Sequence, residues 1–389
     1  MRDVAIVGAG MTQFGELWER SLQDIGLESG MLALMDAGLE TEDIDALFLG
    51  NMSAGRFISQ EHIGALIADH SGLADRGVPA TRVEAGGASG GLALRQGYLA
   101  VASGMHDVVM VGGAEKMTDV SDQEAEETSS MAADQEWEVF FGATLASLYA
   151  LMARRHMHLH GTTPEQLAAV AVKNHAHGAA NPKAQFRSKI TIADVLAATR
   201  VSEPLGVLDC APLSDGGAAV VLTTVDRALE LGKRPVVVRG SGQASDTLAL
   251  HDRWDLTIQR ATRIAAERAL KQAGMSLGDV DVAEVNDAFT IAEVIALEDL
   301  GFAKAGEGGR CAPEGRTALG GELPVNTSGG LKARGAPPGA TGIAQVVELY
   351  DQLLDRAWGR QVEGARVGLA HNLGGTGATA TVHVLEVVR

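Results

Sequence analysis

Two short segments carry the residues best suited to chemistry. His371 and Asn372 stand directly ahead of Leu373-Gly374-Gly375, at what reads as the end of an apolar strand. An imidazole there titrates near neutrality and can move a proton; the plainer reading is a histidine hydrogen-bonded for structure. Asn286-Asp287-Ala288-Phe289 offers an amide that can orient a water or a carbonyl oxygen, against the commoner use of asparagine before aspartate as a turn cap. Asp287 is a base only if it lies buried near a substrate. His156, His158 and His160 in RRHMHLHG put two imidazoles on one helical face, but no carboxylate at matching spacing completes a metal site. Cys210 in LDCAPLSDGG reads as a small core residue. Cys311 is the other of 2 cysteines, which make neither a disulfide framework nor a CxxC pattern, so no metal is expected. Gly8, Gly10 and Gly15 follow a first strand, but as GxGxxxxG rather than GxGxxG, and no acidic residue is placed for a ribose.

These segments need elements to hold them. In the first third, VAIVGAG, a helix through about Ser21 to Ala37, IDALFLGN, RVEAGGASGG leading into LALRQGYLAVASG, and VVMVGGAEKM alternate as strands and helices. That alternation predicts helices covering a mixed or parallel sheet. The last third repeats it: RPVVVRGSG, a helix through about Leu256 to Gln272, VDVAEVNDAF, PVNTSGG, a helix through ATGIAQVVELYDQLL, and a closing strand pair. VDVAEVNDAF aligns with IDALFLGNMS, ATGIAQVVELYDQL with ASGGLALRQGYLAV, and VGLAHNLGG with VVMVGGAEK, so the chain reads as internally duplicated. Three regions follow: an N-terminal half over 1–116, an insertion over 117–232 that returns to that half, and a C-terminal half over 233–389. The insertion reads as a lid. Its Arg154, Arg155, Lys173, Lys183 and Arg187 form a candidate positive rim for a phosphate-bearing ligand.

Composition narrows the function classes. With 389 residues and 46% hydrophobic ones, the chain can fill sizeable cores. A formal charge of −18 from 32 Lys+Arg against 50 Asp+Glu opposes binding to nucleic acid or anionic membrane. No run of about 18 apolar residues suggests a membrane span. MRDVAIVGAG reads as a buried strand rather than an export signal, and a cytoplasmic protein is expected. The 48 glycines fall in short clusters, where backbone turns or approaches a ligand closely.

VAIVGAGMTQFG, VGGAEKMT, KNHAHGAANPKAQFR, LSDGGAAVVL, ELPVNTSGGLKARG and AHNLGGTG, in this order, resemble the thiolase superfamily, and within it the archaeal and sterol-carrier-protein-type thiolases. The resemblance covers essentially the whole chain. It implies an α/β thiolase fold: duplicated βαβαββ halves in a five-layer αβαβα sandwich with an inserted loop domain. It also implies a CoA thioester as substrate, with no further cofactor, and a homodimer or dimer of dimers. A thiolase-like sister subunit or a zinc OB-fold partner that helps hold CoA is a further expectation of the resemblance.

The family's chemistry is a two-step acyl transfer through a cysteine in a C-A-S-G context, assisted by a histidine in a G-H-P turn. The matching segments here are Gly87-Ala88-Ser89-Gly90 and Gly335-Ala336-Pro337, so the resemblance implies that both the sulfur and the imidazole are replaced. Asn286 matches the asparagine of N-E-A-F, and His371 precedes the Gly-Gly turn where many members carry a second cysteine. Substrate binding is carried to Ser328 and Gly329 in ELPVNTSGGLKARG, and to Lys183 and Arg187 in the insertion. What can remain at the site is His371 for a proton, Asn286, and backbone N–H groups near Gly87 and Gly375 for an oxyanion. Three readings follow: a lyase that makes or breaks a C–C bond beside a CoA thioester without acylating itself, a non-catalytic subunit paired with an active homologue, or an acetyl-CoA acetyltransferase whose nucleophile has been removed.

Overall fold

In the computed structural model, residues 1–388 are described. The N-terminal half contributes strands β1 (Val4–Met11), β2 (Ala46–Gly50), β3 (Ala80–Val83), β4 (Val109–Glu115) and β5 (Gly216–Thr224). The C-terminal half contributes β6 (Val236–Ser245), β7 (Val282–Glu284), β8 (Val367–Gly374) and β9 (Thr379–Val387). Strand order is β3-β2-β4-β5-β1-β6-β9-β8-β7, and β1 meets β6 at only two residue pairs, Ala5 with Val237 and Ile6 with Val236. The duplication legible in the sequence is therefore a mirror in the sheet. β2 runs parallel to β4 as β7 runs parallel to β8, and β4 pairs antiparallel with β5 as β8 does with β9.

Helices α1 (Leu22–Ala37), α2 (Ser89–Ser103), α6 (Arg260–Ala273) and α9 (Pro338–Leu353) complete the layers, with α3 to α5 in the insertion and α7 and α8 described below. Helix α1 covers β1 and β5 from outside, α6 covers β6 and β9, and α2 and α9 pack against each other between the two half-sheets. Five layers result. Each helix starts and stops for local reasons: Ser21 and Asp24 form a capping box at the head of α1, and Gly38 closes it at φ 70°. Between the half-sheets, Leu94 and Val101 of α2 and Ile343 and Val346 of α9 are buried against Val111, Val220 and Leu385. Each such side chain contributes roughly 1.5–3 kcal/mol. The central helices approach through glycine. A Cβ at Gly90 would stand 2.7 Å from the Gly339 carbonyl oxygen and 3.1 Å from the Gly342 nitrogen, so backbone is packed on backbone where both helices begin.

Between β4 and β5 the chain forms α3 (Asp122–Ser130), α4 (Leu145–His160), α5 (Pro164–Gly178) and a small ribbon pairing Arg200–Ser202 with Leu205–Gly206. The acidic run SDQEAEETSS is thus helical, capped by Ser121. Leu148, Tyr149, Met152 and Leu167 of this region form a core with Phe289, Ile291 and Ile295, which anchors it on the C-terminal half through α7 (Thr290–Leu300). Among the described residues no helix is long and apolar enough to cross a membrane.

Candidate active site

A cavity of about 530 Å³ opens where α2 and α9 begin and β8 ends. Gly87, Asn286, Leu373 and Gly375 meet in its wall, Ala336 and Pro338 enter from the head of α9, and Met117 to Leu213 of the insertion close the far side. Three of the four expected reaction-centre positions, Gly87, Asn286 and Gly375, are brought together here. A second hollow, lined by Trp137, Phe141, Leu250 and Leu256, has as its polar groups Glu138 and His251, which bond to each other at 3.0 Å.

The Leu373 carbonyl organises this wall. It accepts a long 3.5 Å contact from Asn286 Nδ2, whose Oδ1 accepts the Ala288 N–H at 3.3 Å. A Cβ built on Gly87 would lie 2.7 Å from the same carbonyl oxygen, closer than side-chain carbons stand to backbone. Neither the Gly87 nor the Gly375 N–H donates a hydrogen bond among the described residues. The turn behind Leu373 is fixed: Tyr149 Oη donates to the Gly375 carbonyl at 2.9 Å, and Arg253 Nη1 donates to the Thr376 carbonyl at 2.6 Å. Tyr149 stacks on Phe289 with centroids 4.5 Å apart, and burial pushes its phenol up to about 12. Cys210 lines the cavity too, but burial pushes its thiol up to about 12, so at neutral pH it is a protonated wall residue.

The structure does not bring His371 into this cavity. It lies three residues before Gly374, the last of β8, and two before the cavity-lining Leu373, wholly buried under α6, where Nε2 bonds Thr262 Oγ1 at 2.9 Å. Desolvation lowers its pKa to about 3, so it is neutral and structural rather than poised for proton transfer. Ser328 and Gly329 also lie elsewhere. Ser328 donates to Glu284 from both its N–H, at 3.0 Å, and its hydroxyl, at 2.6 Å, and Gly329 at φ 101° caps helix α8 (Gly330–Arg334). Both serve a buried ionic network. Arg187 is exposed and Lys183 half-buried, and neither is among the residues that line the cavity, although Phe186 between them is. Lys173 is no rim residue, since it is buried and ion-paired to Glu293 at 2.7 Å. His156 bonds Thr162 at 2.7 Å and Glu298 at 3.1 Å in the core. Asp287 is buried as an anchor for α8, accepting the Leu331 and Lys332 N–H groups at 2.6 and 3.2 Å. Burial raises its pKa to about 7.

Two cavity residues escape a reading by motif. Tyr149 has no local signature. Lys332 sits in ELPVNTSGGLKARG, where a lysine between leucine and alanine looks like ordinary surface, yet only 1% of it is exposed.

Residues 4–226 match the thiolase N-terminal domain, and residues 242–387 match the thiolase C-terminal domain-like family. An acetyl-CoA acetyltransferase of Methanothermobacter thermautotrophicus is 56% identical over 99% of this chain and 100% of its own. The benzoylsuccinyl-CoA thiolase subunit BbsB of Thauera aromatica is 32% identical over 96% of this chain and 95% of its own. Among solved structures, the Ltp2-ChsH2(DUF35) aldolase superposes with a TM-score of 0.87 at 30% identity, covering 100% of this chain and 98% of that one.

Proposed function

The chain belongs to the thiolase family, and from that premise we propose that it acts on an acyl-CoA by C–C bond cleavage or formation of the retro-aldol type, with no acyl-cysteine intermediate. The observation that carries this reading is the cavity wall at residue 87, where the Leu373 carbonyl stands 2.7 Å from where a Cβ would be. Gly87 and Ala336 bring neither sulfur nor imidazole to the cavity, and its one thiol, among the described residues, is held protonated by burial. What the wall does offer is donors: the N–H groups of Gly87 and Gly375, which bond to nothing among the described residues, and the amide of Asn286, whose Nδ2 makes only the long 3.5 Å contact to the Leu373 carbonyl. Such donors stabilise negative charge on a thioester oxygen. In a β-hydroxyacyl-CoA, removing the hydroxyl proton lets the Cα–Cβ bond break. The carbonyl product leaves, the electron pair becomes a thioester enolate held by these donors, and Cα is then reprotonated. The likeness to a structure described as an aldolase supports the same chemistry.

A second reading has its own support. One relative is named a subunit, and the similar aldolase carries a second named component, ChsH2(DUF35). The chain would then work beside a second protein, either an active thiolase-like homologue or a component of that DUF35 kind, on a homodimeric core. Incubating the purified protein with β-hydroxyacyl-CoA and β-ketoacyl-CoA panels separates the readings. Cleavage of β-hydroxyacyl-CoA without free CoA is the expected result. Thiolysis of β-ketoacyl-CoA by added CoA would overturn it in favour of an acetyltransferase, and inertness on both panels, relieved by a co-purified subunit, would favour the paired reading.

A further inference from the structure

The cavity contains an ammonium group that no interaction described so far occupies. Lys332 lies in α8, and its own N–H and that of Leu331 are tied to the Asp287 carboxylate, so its backbone is fixed beside Asn286. Its side chain lines the cavity, with Nζ 5.9 Å from the centroid of the Phe186 ring. Among the described residues this ammonium has no hydrogen-bond acceptor and no ion-pair partner. Three other buried cations are ion-paired: Lys173 of the insertion with Glu293 at 2.7 Å, and in the C-terminal half Arg334 with Glu284 at 3.4 Å and Arg360 with Glu348 at 2.8 Å. A desolvated ammonium with unused donors is costly where it does nothing, and such groups mark functional sites.

The groups that face it come from three elements: Asp287 after β7, Asp209 and Cys210 before β5, and His175 of α5. Desolvation lowers the lysine to about 8, against the opposing pull of the Asp287 and Asp209 carboxylates. Near neutrality it therefore exchanges a proton readily.

We propose that Lys332 is the acid–base group of this cavity, its amine taking the proton from the β-hydroxyl of a bound acyl-CoA as the Cα–Cβ bond breaks. The ammonium so formed returns the proton to Cα of the enolate, and the amine is regenerated. This inference rests on the retro-aldol reading.

The experiment compares wild type with Lys332→Met, Lys332→Ala and Lys332→Arg on a β-hydroxyacyl-CoA that wild type cleaves, with folding checked by thermal unfolding and CoA-ester binding by calorimetry. In Lys332→Met, kcat is expected to fall by roughly 10²- to 10⁴-fold, the range of a lost general acid–base group, with KM changed little. Wild-type kcat/KM should rise with pH through about 8 and then level, as an amine that must be neutral requires, and the variant should lose that limb. Small primary amines added to Lys332→Ala should restore part of the rate. A rise in KM with kcat preserved would overturn the proposal and make Lys332 an anchor for a substrate carboxylate; an unchanged pH limb would overturn it too. If wild type cleaves nothing, the retro-aldol reading fails separately, and Lys332 is judged by deuterium exchange at Cα of a bound acyl-CoA. Exchange in wild type that is lost in Lys332→Met upholds the acid–base role, and no exchange in wild type overturns it.

Discussion

The two halves of the molecule build the approach to the cavity in the same way and then part company. After α1, Gly38 turns the chain, Asp43 accepts the Glu40 N–H, and Asp45 accepts the N–H groups of Asp107 and Val108 ahead of β4. After α6, Gly274 turns the chain, Asp279 accepts the Ser276 N–H, and Asp281 accepts the N–H groups of Arg366 and Val367 at the head of β8. Six residues further on, the copies differ. Asn51 and the following loop are gathered by Glu115, which also accepts the Gly339 N–H of α9 at 3.0 Å and which burial raises to about 7. Asp287 in the other half fixes α8, beneath which lies a buried network of Glu284, Arg334, Glu348 and Arg360. Repetition sets the frame, and the carboxylate that holds the backbone of Lys332 belongs to one half alone.

That contrast can be broken most severely at Arg334. Arg334→Met strands Glu284 in the core and should cost about 3–5 kcal/mol, read as a lowered urea midpoint. Lys116→Met, which strands Asp215 in the other half, should cost less, because Asp215 keeps the N–H groups of Leu17, Met117 and Thr118. Equal losses would dissolve the asymmetry. Next comes Gly87→Ala: its methyl must displace the Leu373 carbonyl, at a cost of about 1–3 kcal/mol. Asp45→Ala and Asp281→Ala each remove the same strand-start bonds and should each cost about 1 kcal/mol, alike within error if the two connections are true copies. The smallest effect at neutral pH is expected from His371→Gln. Burial holds this histidine at about 3 against 6.5 when unfolded, so the unfolded chain binds its proton first and stability falls as pH drops through that window. The variant should lose less stability than wild type between pH 7 and 5, as compared by urea midpoints.

Much of the frame was legible because it rests on local rules. Strand runs, glycine turns and the repeat itself are written in residue order, and they predicted the mirror of β2 with β7 and β4 with β8. The site was legible only in part. Gly87, Asn286 and Gly375 sit at strand ends and helix starts, where sequence position and spatial position coincide. His371 misled because it adjoins the same glycine turn, yet two residues along a strand is about 7 Å of depth, enough to put it under α6 rather than in the cavity. Ser328 misled for a related reason: its loop is near the cavity, but its hydroxyl faces Glu284. Lys332 was passed over because pattern cannot show burial in a five-residue helix held by a distant aspartate. The adjoining Gly329-Gly330 and the partner Asp287 were the only signs that LKAR was folded inward.

The closeness of the Leu373 carbonyl to Gly87 bears on how this protein can change over evolutionary time. A single codon substitution that placed a thiol at residue 87 would meet backbone, and that backbone is itself pinned by Tyr149 and Arg253 through the turn behind it. A side chain there costs least once those two residues, far apart in sequence, have loosened their hold. Mutational paths to a nucleophile at this position are therefore eased by prior change at Tyr149 or Arg253, and a library randomised at residue 87 alone should be enriched in glycine when selected for stability.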